Sequence, residues 1–148
     1  MDKLTQKHRQ LLLALNSLEK SISSLSRFER IYSEFKEKFD YDEEYKIHRD
    51  SVIQRFEYSI DMFWKYIKKY LEESNVLMES KFSGDVVREA CVARLIFEDE
   101  AEILLVMIKS RNKTSHIYVE AVAALLASQI PEYFKILNLI AFRIGPKI

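Results

Sequence analysis

The sequence predicts an all-α protein, an up-and-down helical bundle of about four long helices and one short helix. The chain of 148 residues contains only two glycines and two prolines, against roughly 10 and 7 expected from average usage. Because turns between strands need these residues, a many-turned β protein is excluded. Apolar residues also recur at steps of three and four along most of the chain, which is the period of an amphipathic helix.

The composition is that of one domain with a well-filled core, since 48% of the residues are hydrophobic and 31% are charged. The 23 basic residues balance the 23 acidic ones, which argues against a protein held to nucleic acid mainly by its overall charge. One cysteine and three scattered histidines predict no disulfide, no metal site and no cofactor. The N-terminus lacks the apolar core of a signal peptide, and residues 11–15 are too short to span a membrane, so we expect a cytoplasmic protein.

The first two helices are predicted from long amphipathic stripes. The first runs from about Leu4 to Phe39, either as one helix or as two joined by a kink near residues 23–24. Its inner face carries Leu11, Leu15, Leu18, Ile22 and Leu25, followed by Phe28, Tyr32, Phe35 and Phe39. The second helix runs from about residue 43 to 74, after an acidic connection that suits a helix start. Its inner face carries Phe56, Ile60, Phe63, Ile67 and Leu71.

Three further helices follow. A short one is predicted from about residue 85 to 95, with Ser83 as its N-cap. A fourth starts near Glu98, and its acidic start and basic end both suit the helix dipole. The last runs from about His116 to Arg143, and Pro131 should kink it or start a fresh turn.

The motif that carries chemistry lies at residues 111–118, where Arg111 is followed after four residues by His116 and then, after one more, by Tyr118. On the residues alone, two interpretations stay open. The stretch is either a helix end whose cationic side chains bond the last carbonyls, or a site for phosphate chemistry. In the second case Arg111 binds phosphate through its guanidinium fork and His116 acts as base or acid, because imidazole titrates near neutrality.

Helical geometry limits how Arg111 and His116 can meet. Residues five apart on an ideal helix lie about 140° apart, so either the helix ends between them, as Asn112 and its neighbours favour, or two chains contribute. We prefer a dimer that pairs two motifs. Glu120 either orients His116, if a helix begins there, or is a solvated carboxylate. Tyr118 is either an exposed acceptor or a packed ring.

Polar residues inside the second helix form a further candidate group. Gln54, Arg55 and Glu57 either satisfy a buried network or line a nucleotide pocket. Trp64 belongs either to the core or to a base-stacking pocket. The chain has no glycine-rich phosphate loop and no Gly-Ser pair followed by Asp-x-Asp, so any nucleotidyl transfer needs a partner that supplies the chemistry.

Three blocks in order resemble signatures of the nucleotidyltransferase substrate-binding proteins of the HEPN family. They are residues 49–58 with Trp64-Lys65, residues 86–90 and residues 111–118, and the resemblance extends over about residues 49–140. It implies one HEPN-like domain over residues 1–148, with a fold similar to the C-terminal domain of kanamycin nucleotidyltransferase. It also implies a homodimer that associates with a minimal nucleotidyltransferase.

The same resemblance implies a function. In related pairs the HEPN protein is the toxin of a toxin–antitoxin pair, a metal-independent endoribonuclease whose catalytic residues match Arg111 and His116, with Asn112 in support. The partner transfers AMP to the tyrosine that matches Tyr118. Two other functions stay open. One is a non-catalytic subunit that binds a nucleotide or acceptor substrate for the partner, and the other is a bundle used only for association.

Overall fold

The computed structural model describes residues 2–35, 37, 40–76 and 82–146, and these form five α-helices without any strand. The helices are α1 (Lys3–Tyr32), α2 (Tyr41–Glu73), α3 (Ser83–Val92), α4 (Glu98–Asn112) and α5 (Glu120–Arg143). Two short 3-10 turns lie at Ser33–Phe35 and Thr114–His116. The predicted all-α bundle of four long helices and one short helix is therefore confirmed. None of the helices in the described ranges is long and apolar enough to cross a bilayer.

Helices α1 and α2 run antiparallel. Near one end of the pair, the ring of His8 lies 5.1 Å from that of Tyr66. Near the middle, Arg55 Nη1 donates to the carbonyl of Ser17 over 2.9 Å. Because the partner on α2 moves toward lower numbers as the residue number on α1 rises, the two helices run in opposite directions, as a short connection between them requires.

Helix α5 packs on both and runs parallel to α2. The ring of Phe56 stacks on that of Tyr133 at 5.8 Å, and the hydroxyl of Tyr66 donates to the carbonyl of Ile144. Helix α4 returns in the opposite direction, with its first turn beside Arg143 and its last turn beside the middle of α2. The alternation of directions is that of an up-and-down bundle.

The core lies between α1, α2 and α5 and extends under α3 and α4. Its largest fully buried side chains are Leu11, Leu15, Leu18, Ile53, Phe56, Phe63, Tyr66, Ile67, Leu71, Ile96, Leu104 and Met107. Phe56 and Phe63 therefore belong to the core, as their place on the inner face of the second helix predicted. Tyr32 and Phe35, which the sequence placed on the inner stripe, are about 40% exposed, because α1 ends at Tyr32 and the chain turns away. Phe39 lies outside the described residues.

Several helix ends differ from the predictions. Helix α1 ends at Tyr32, earlier than the predicted Phe39, and it is continuous through residues 23–24, as the one-helix alternative predicted. Helix α5 continues on both sides of Pro131, so it does not start afresh there. Ser83 is not the N-cap of α3, because the amide of Val86 already bonds the carbonyl of Phe82 and starts the helix one residue earlier. Helix α5 begins at Glu120, not at His116, since an extended residue, Val119, precedes it.

Candidate functional site

Arg111 is bound by two carboxylates of α2. Glu57 and Asp61 lie four residues apart and therefore share one side of that helix. Arg111 stands in the last turn of α4 and faces them. Its Nη1 lies 3.0 Å from Glu57 Oε2, its Nε 3.3 Å from Asp61 Oδ1 and its Nη2 3.2 Å from Asp61 Oδ2. The guanidinium thus ties the end of α4 to the middle of α2.

Thr114 completes this network. Its buried hydroxyl donates to Glu57 Oε2 over 2.7 Å and accepts a hydrogen bond from Arg111 Nη1 over 3.2 Å. The same hydroxyl lies 2.8 Å from the carbonyl of Arg111. Because a hydroxyl can donate and accept a hydrogen bond at once, Thr114 holds both members of the ion pair, Glu57 and Arg111.

The network changes the phosphate-binding capacity of Arg111. Its hydrogen bonds to Asp61, and the charges of Asp61 and Glu57, raise the pKa of Arg111 against the opposing effect of burial. A guanidinium can bind phosphate in a bidentate manner through its Nε–Nη2 edge or its Nη1–Nη2 edge. Asp61 occupies the first edge, and Glu57 and Thr114 take the N–H groups of Nη1. A guanidinium has five N–H groups, so four contacts leave one on Nη2 within the described structure. The predicted bidentate binding of phosphate therefore requires Asp61, or a partner of Nη1, to release the guanidinium.

His116 and Tyr118 lie on the surface just beyond this network. Helix α4 ends at Asn112. The helix thus ends between Arg111 and His116, which was the first of the two predicted ways in which these residues could meet. His116 closes the 3-10 turn and is exposed, and Tyr118 is 80% exposed. Their ring centroids lie 6.1 Å apart, edge to face. The ring of Tyr118 is therefore accessible and is not packed in the bundle.

Glu120 does not orient His116. The two residues lie in different elements, and Glu120 Oε1 instead accepts a 2.6 Å hydrogen bond from Arg49 Nη1. This contact with Arg49 lowers the pKa of the Glu120 carboxyl. The alternative in which Glu120 orients His116 is wrong, because it required a helix that begins at His116. Glu120 is a partner of a buried arginine and not simply a solvated carboxylate.

The polar residues predicted inside α2 separate onto two sides of the helix. Glu57 joins the Arg111 network, so the network alternative holds for it. Gln54 and Arg55 are exposed. Together with Tyr58 they line an open groove of about 470 Å³ between α2 and α1. The structure therefore does not bring Gln54 and Arg55 to the motif.

Two other predicted residues lie near the network without joining it. Trp64 stands three residues after Asp61 on the same side of α2, where it is partly buried against the core. The ammonium of Lys65 lies 5.8 Å from its ring centroid. Asn112 is exposed as the last residue of α4, and its side chain makes no hydrogen bond to the described part of the chain.

Sequence reasoning missed Asp61, Thr114 and Arg49. The signal for Asp61 was its spacing of four from Glu57 within an apolar helix, which places two carboxylates on one side. Thr114 lies inside the motif but was considered only as a residue that ends a helix. Arg49 opens the first signature block, yet nothing in the sequence shows that its side chain is 4% exposed and turned inward.

No group of histidine, cysteine or carboxylate side chains in the described residues is arranged to hold a metal ion. The groups available for chemistry are an exposed imidazole, an exposed phenol and a guanidinium balanced by two carboxylates. They suit proton transfer and phosphate contact.

Comparisons with known proteins agree with the fold. The family model described as "Nucleotidyltransferase substrate binding protein like" matches residues 8–142. A crystal structure of a protein from Thermus thermophilus is 29% identical, with a TM-score of 0.65, and the match covers 87% of this chain and 99% of that one. No curated protein sequence matches the chain.

Proposed function

The chain belongs to the family of nucleotidyltransferase substrate-binding-like proteins, and from this premise we propose that it is the ribonuclease toxin of a toxin–antitoxin pair. Membership of the family implies a nucleotidyltransferase as partner. The observation that carries the proposal is the exposure of His116 and Tyr118 immediately beyond the fixed guanidinium of Arg111. An accessible acid–base group, an accessible acceptor and a cation thus lie within eight consecutive residues.

The proposed reaction uses groups of the protein. A base removes the proton of the RNA 2′-hydroxyl, and the 2′-oxygen attacks the adjacent phosphorus. The bond from phosphorus to the 5′-oxygen breaks, and an acid protonates the leaving oxygen. His116 serves as base or acid, and Arg111 stabilises the charge on the phosphorane. The products are a 2′,3′-cyclic phosphate and a 5′-hydroxyl.

The reaction is best served by a homodimer. Cleavage needs a base and an acid in the same active site, whereas each chain contributes a single exposed imidazole at this motif. Two copies that pair their 111–118 segments supply both. Wild-type chains exchanged with an excess of His116→Ala chains should therefore lose activity, because a mixed dimer holds only one imidazole, and a strictly monomeric enzyme that cuts through His116 would exclude this arrangement.

Tyr118 is the proposed acceptor of AMP from the partner nucleotidyltransferase. Its phenol oxygen would attack the α-phosphorus of ATP, pyrophosphate would leave, and the phenol proton would pass to solvent. Its phenol is accessible, and its ring lies beside that of His116. A bulky anionic adduct at this position would obstruct the imidazole and repel an RNA phosphate. Transfer of AMP would therefore silence the nuclease.

A second function is favoured by a specific observation. Asp61 and Glu57 place two negative charges around Arg111 and occupy most of its hydrogen-bond donors. A guanidinium neutralised in this way suits a structural role, and the protein would then be a non-catalytic subunit that holds a nucleotide or acceptor for the transferase. The exposed motif would bind and orient this substrate without cutting RNA.

The deciding experiment is incubation of a mixed RNA pool with the purified protein in EDTA, beside His116→Ala and the matched control His48→Ala. We expect the wild type and the control to cut and His116→Ala to be inactive. If the wild type does not cut while mass spectrometry shows that Tyr118 carries no AMP, the substrate-binding function replaces the nuclease.

A further inference from the structure

Residues 114–119, which we call the motif loop, connect α4 to α5 and carry both exposed motif side chains. The loop is attached to α2 at its two ends. At one end, the hydroxyl of Thr114 donates to Glu57. At the other, Glu120, the first residue of α5, accepts a hydrogen bond from Arg49 Nη1 at 2.6 Å. His116 and Tyr118 lie between these attachments.

The second attachment is asymmetric. The side chain of Arg49 is 4% exposed, whereas that of Glu120 is 58% exposed. The buried guanidinium of Arg49 lies 5.7 Å from the centroid of the Tyr45 ring, and its Nε lies 3.0 Å from Asp50 Oδ1. A buried guanidinium needs partners to compensate its desolvation. Arg49 is therefore a fixed point, and Glu120 is the surface group held by it.

This contact lies at the start of α5. Val119 precedes the helix and provides no side-chain cap, so no side chain at that position satisfies the first amides of α5. Glu120 is the one acidic residue in the first turn, where a carboxylate is stabilised by the helix dipole. Arg49 fixes that carboxylate, and through it the point at which the motif loop becomes helix.

We infer that Arg49 is a positioning residue for the motif loop: it holds Glu120 and thereby fixes the placement of His116 and Tyr118. It does so without contacting the RNA or the nucleotide. The catalytic part of this inference rests on the proposed function, whereas the ordering of the loop does not. Catalysis is sensitive to small displacements, since about 1 Å of misplacement can cost as much as ~100-fold in rate.

The test compares Arg49→Met with Arg143→Met. Each variant removes an arginine that pairs with a glutamate at one end of α5. Arg143, at the end opposite Glu120, donates two hydrogen bonds of 2.8 and 2.6 Å to Glu100. We expect both variants to lose thermal stability. Arg49→Met should also lower kcat about tenfold or more at a nearly unchanged KM, with partial recovery in Arg49→Lys, whereas Arg143→Met should keep the wild-type kcat.

Hydrogen–deuterium exchange of peptides covering residues 113–119 reads loop order without any assay of activity. We expect faster exchange in Arg49→Met and wild-type exchange in Arg143→Met. If Arg49→Met does not fold, Glu120→Ala removes the exposed partner instead and should give the same local increase. Unchanged exchange of this peptide in a folded variant overturns the inference. Equal losses of kcat in Arg49→Met and Arg143→Met overturn its catalytic part.

The two proposals fail in different ways. If the wild type does not cut RNA but exchange is faster in Arg49→Met, the nuclease is wrong and the positioning of the loop by Arg49 stands. If the wild type cuts RNA and both exchange and kcat are unchanged in Arg49→Met, the nuclease stands and the role of Arg49 is wrong.

Discussion

The guanidinium of Arg111 meets the carboxylate of Asp61 edge to edge, with Nε 3.3 Å from Oδ1 and Nη2 3.2 Å from Oδ2. An arginine binds a phosphate with the same edge and in the same geometry. In the proposed nuclease, Asp61 would therefore compete with an RNA phosphate for this edge of Arg111. We expect Asp61 to limit the affinity of the protein for RNA.

The change Asp61→Asn should strengthen binding of RNA. The amide keeps the size of the side chain but removes one of the two negative charges beside Arg111, so a phosphate gains access to the guanidinium. We expect a several-fold lower Kd for a single-stranded DNA oligonucleotide, which lacks the 2′-hydroxyl and cannot be cut, measured by fluorescence anisotropy at low salt.

The control for this change is Glu132→Gln, which removes a carboxylate from a surface pair with Lys135 on α5. It should leave the Kd nearly unchanged, because that pair is exposed and outside the motif. The gain in Asp61→Asn should also disappear in the double variant with Arg111→Ala. Equal Kd values for wild type and Asp61→Asn would show that Arg111 does not bind the phosphate.

Tyr118→Phe should abolish nucleotide transfer to the protein. The phenol of Tyr118 is 80% exposed, and phenylalanine removes only the accepting oxygen. Intact mass spectrometry after incubation with the partner transferase and ATP should show the AMP adduct on wild type and not on Tyr118→Phe. Tyr58→Phe is the matched control, since Tyr58 is 55% exposed and lies on α2 beside α1. Adducts on Tyr118→Phe would place the acceptor elsewhere.

Acid should weaken the bundle through Glu100. Its two hydrogen bonds from Arg143, opposed by burial, lower the pKa of the carboxyl. As pH falls, Glu100 therefore becomes protonated in the unfolded chain before it does so in the folded one. The stabilisation is complete above the ordinary glutamate pKa, about 4.3. It is lost as pH falls through the lower pKa of the folded state. Glu100→Gln should cost about 1–2 kcal/mol at neutral pH.

The measurement is a series of urea unfolding curves between about pH 3 and pH 7. Wild type should lose more stability than Glu100→Gln on acidification, and the two curves should converge at the acid end. Glu132→Gln should run parallel to wild type, because its exposed ion pair contributes little. Parallel curves for wild type and Glu100→Gln would contradict the role of the Arg143 pair.

Arg94→Gly should stabilise the protein. Two residues beyond the end of α3, Arg94 has φ 62°. The amides of Arg94 and Leu95 bond back to the helix over 3.0 and 2.9 Å, as in a helix end that favours glycine at this position. A left-handed arginine is strained, so glycine should add about 0.5–1 kcal/mol in thermal melts, after allowance for its freer unfolded state. Asn75→Gly, at φ 64° after α2, should change stability less, because asparagine tolerates this conformation.

The sequence predicted the fold from local information. The scarcity of glycine and proline and the stripe of Leu11, Leu15 and Leu18 identify helices whose buried faces the structure confirms. The side of each helix that faces the core is a property of 3.6-residue periodicity, which any window of the sequence contains. The order of the helices then limits the bundle to few topologies.

The sequence located the motif but not its partners. The pairing of Arg111 with Asp61 joins residues 50 positions apart, and no local pattern contains it. The start of α5 was placed four residues too early, because the apolar stripe continues through Ile117 and Val119 whether or not the backbone is helical there. That error produced the wrong partner for Glu120 and hid the contact with Arg49.

The most direct measurement on the central claim is the identity of the RNA ends that the wild-type protein produces in EDTA, read by mass spectrometry of a short defined oligonucleotide. Attack by the 2′-hydroxyl with His116 as base or acid predicts a 2′,3′-cyclic phosphate and a 5′-hydroxyl, and no products from His116→Ala. Products with a 3′-hydroxyl and a 5′-phosphate, or cyclic phosphate from His116→Ala at the wild-type rate, would contradict the proposed mechanism.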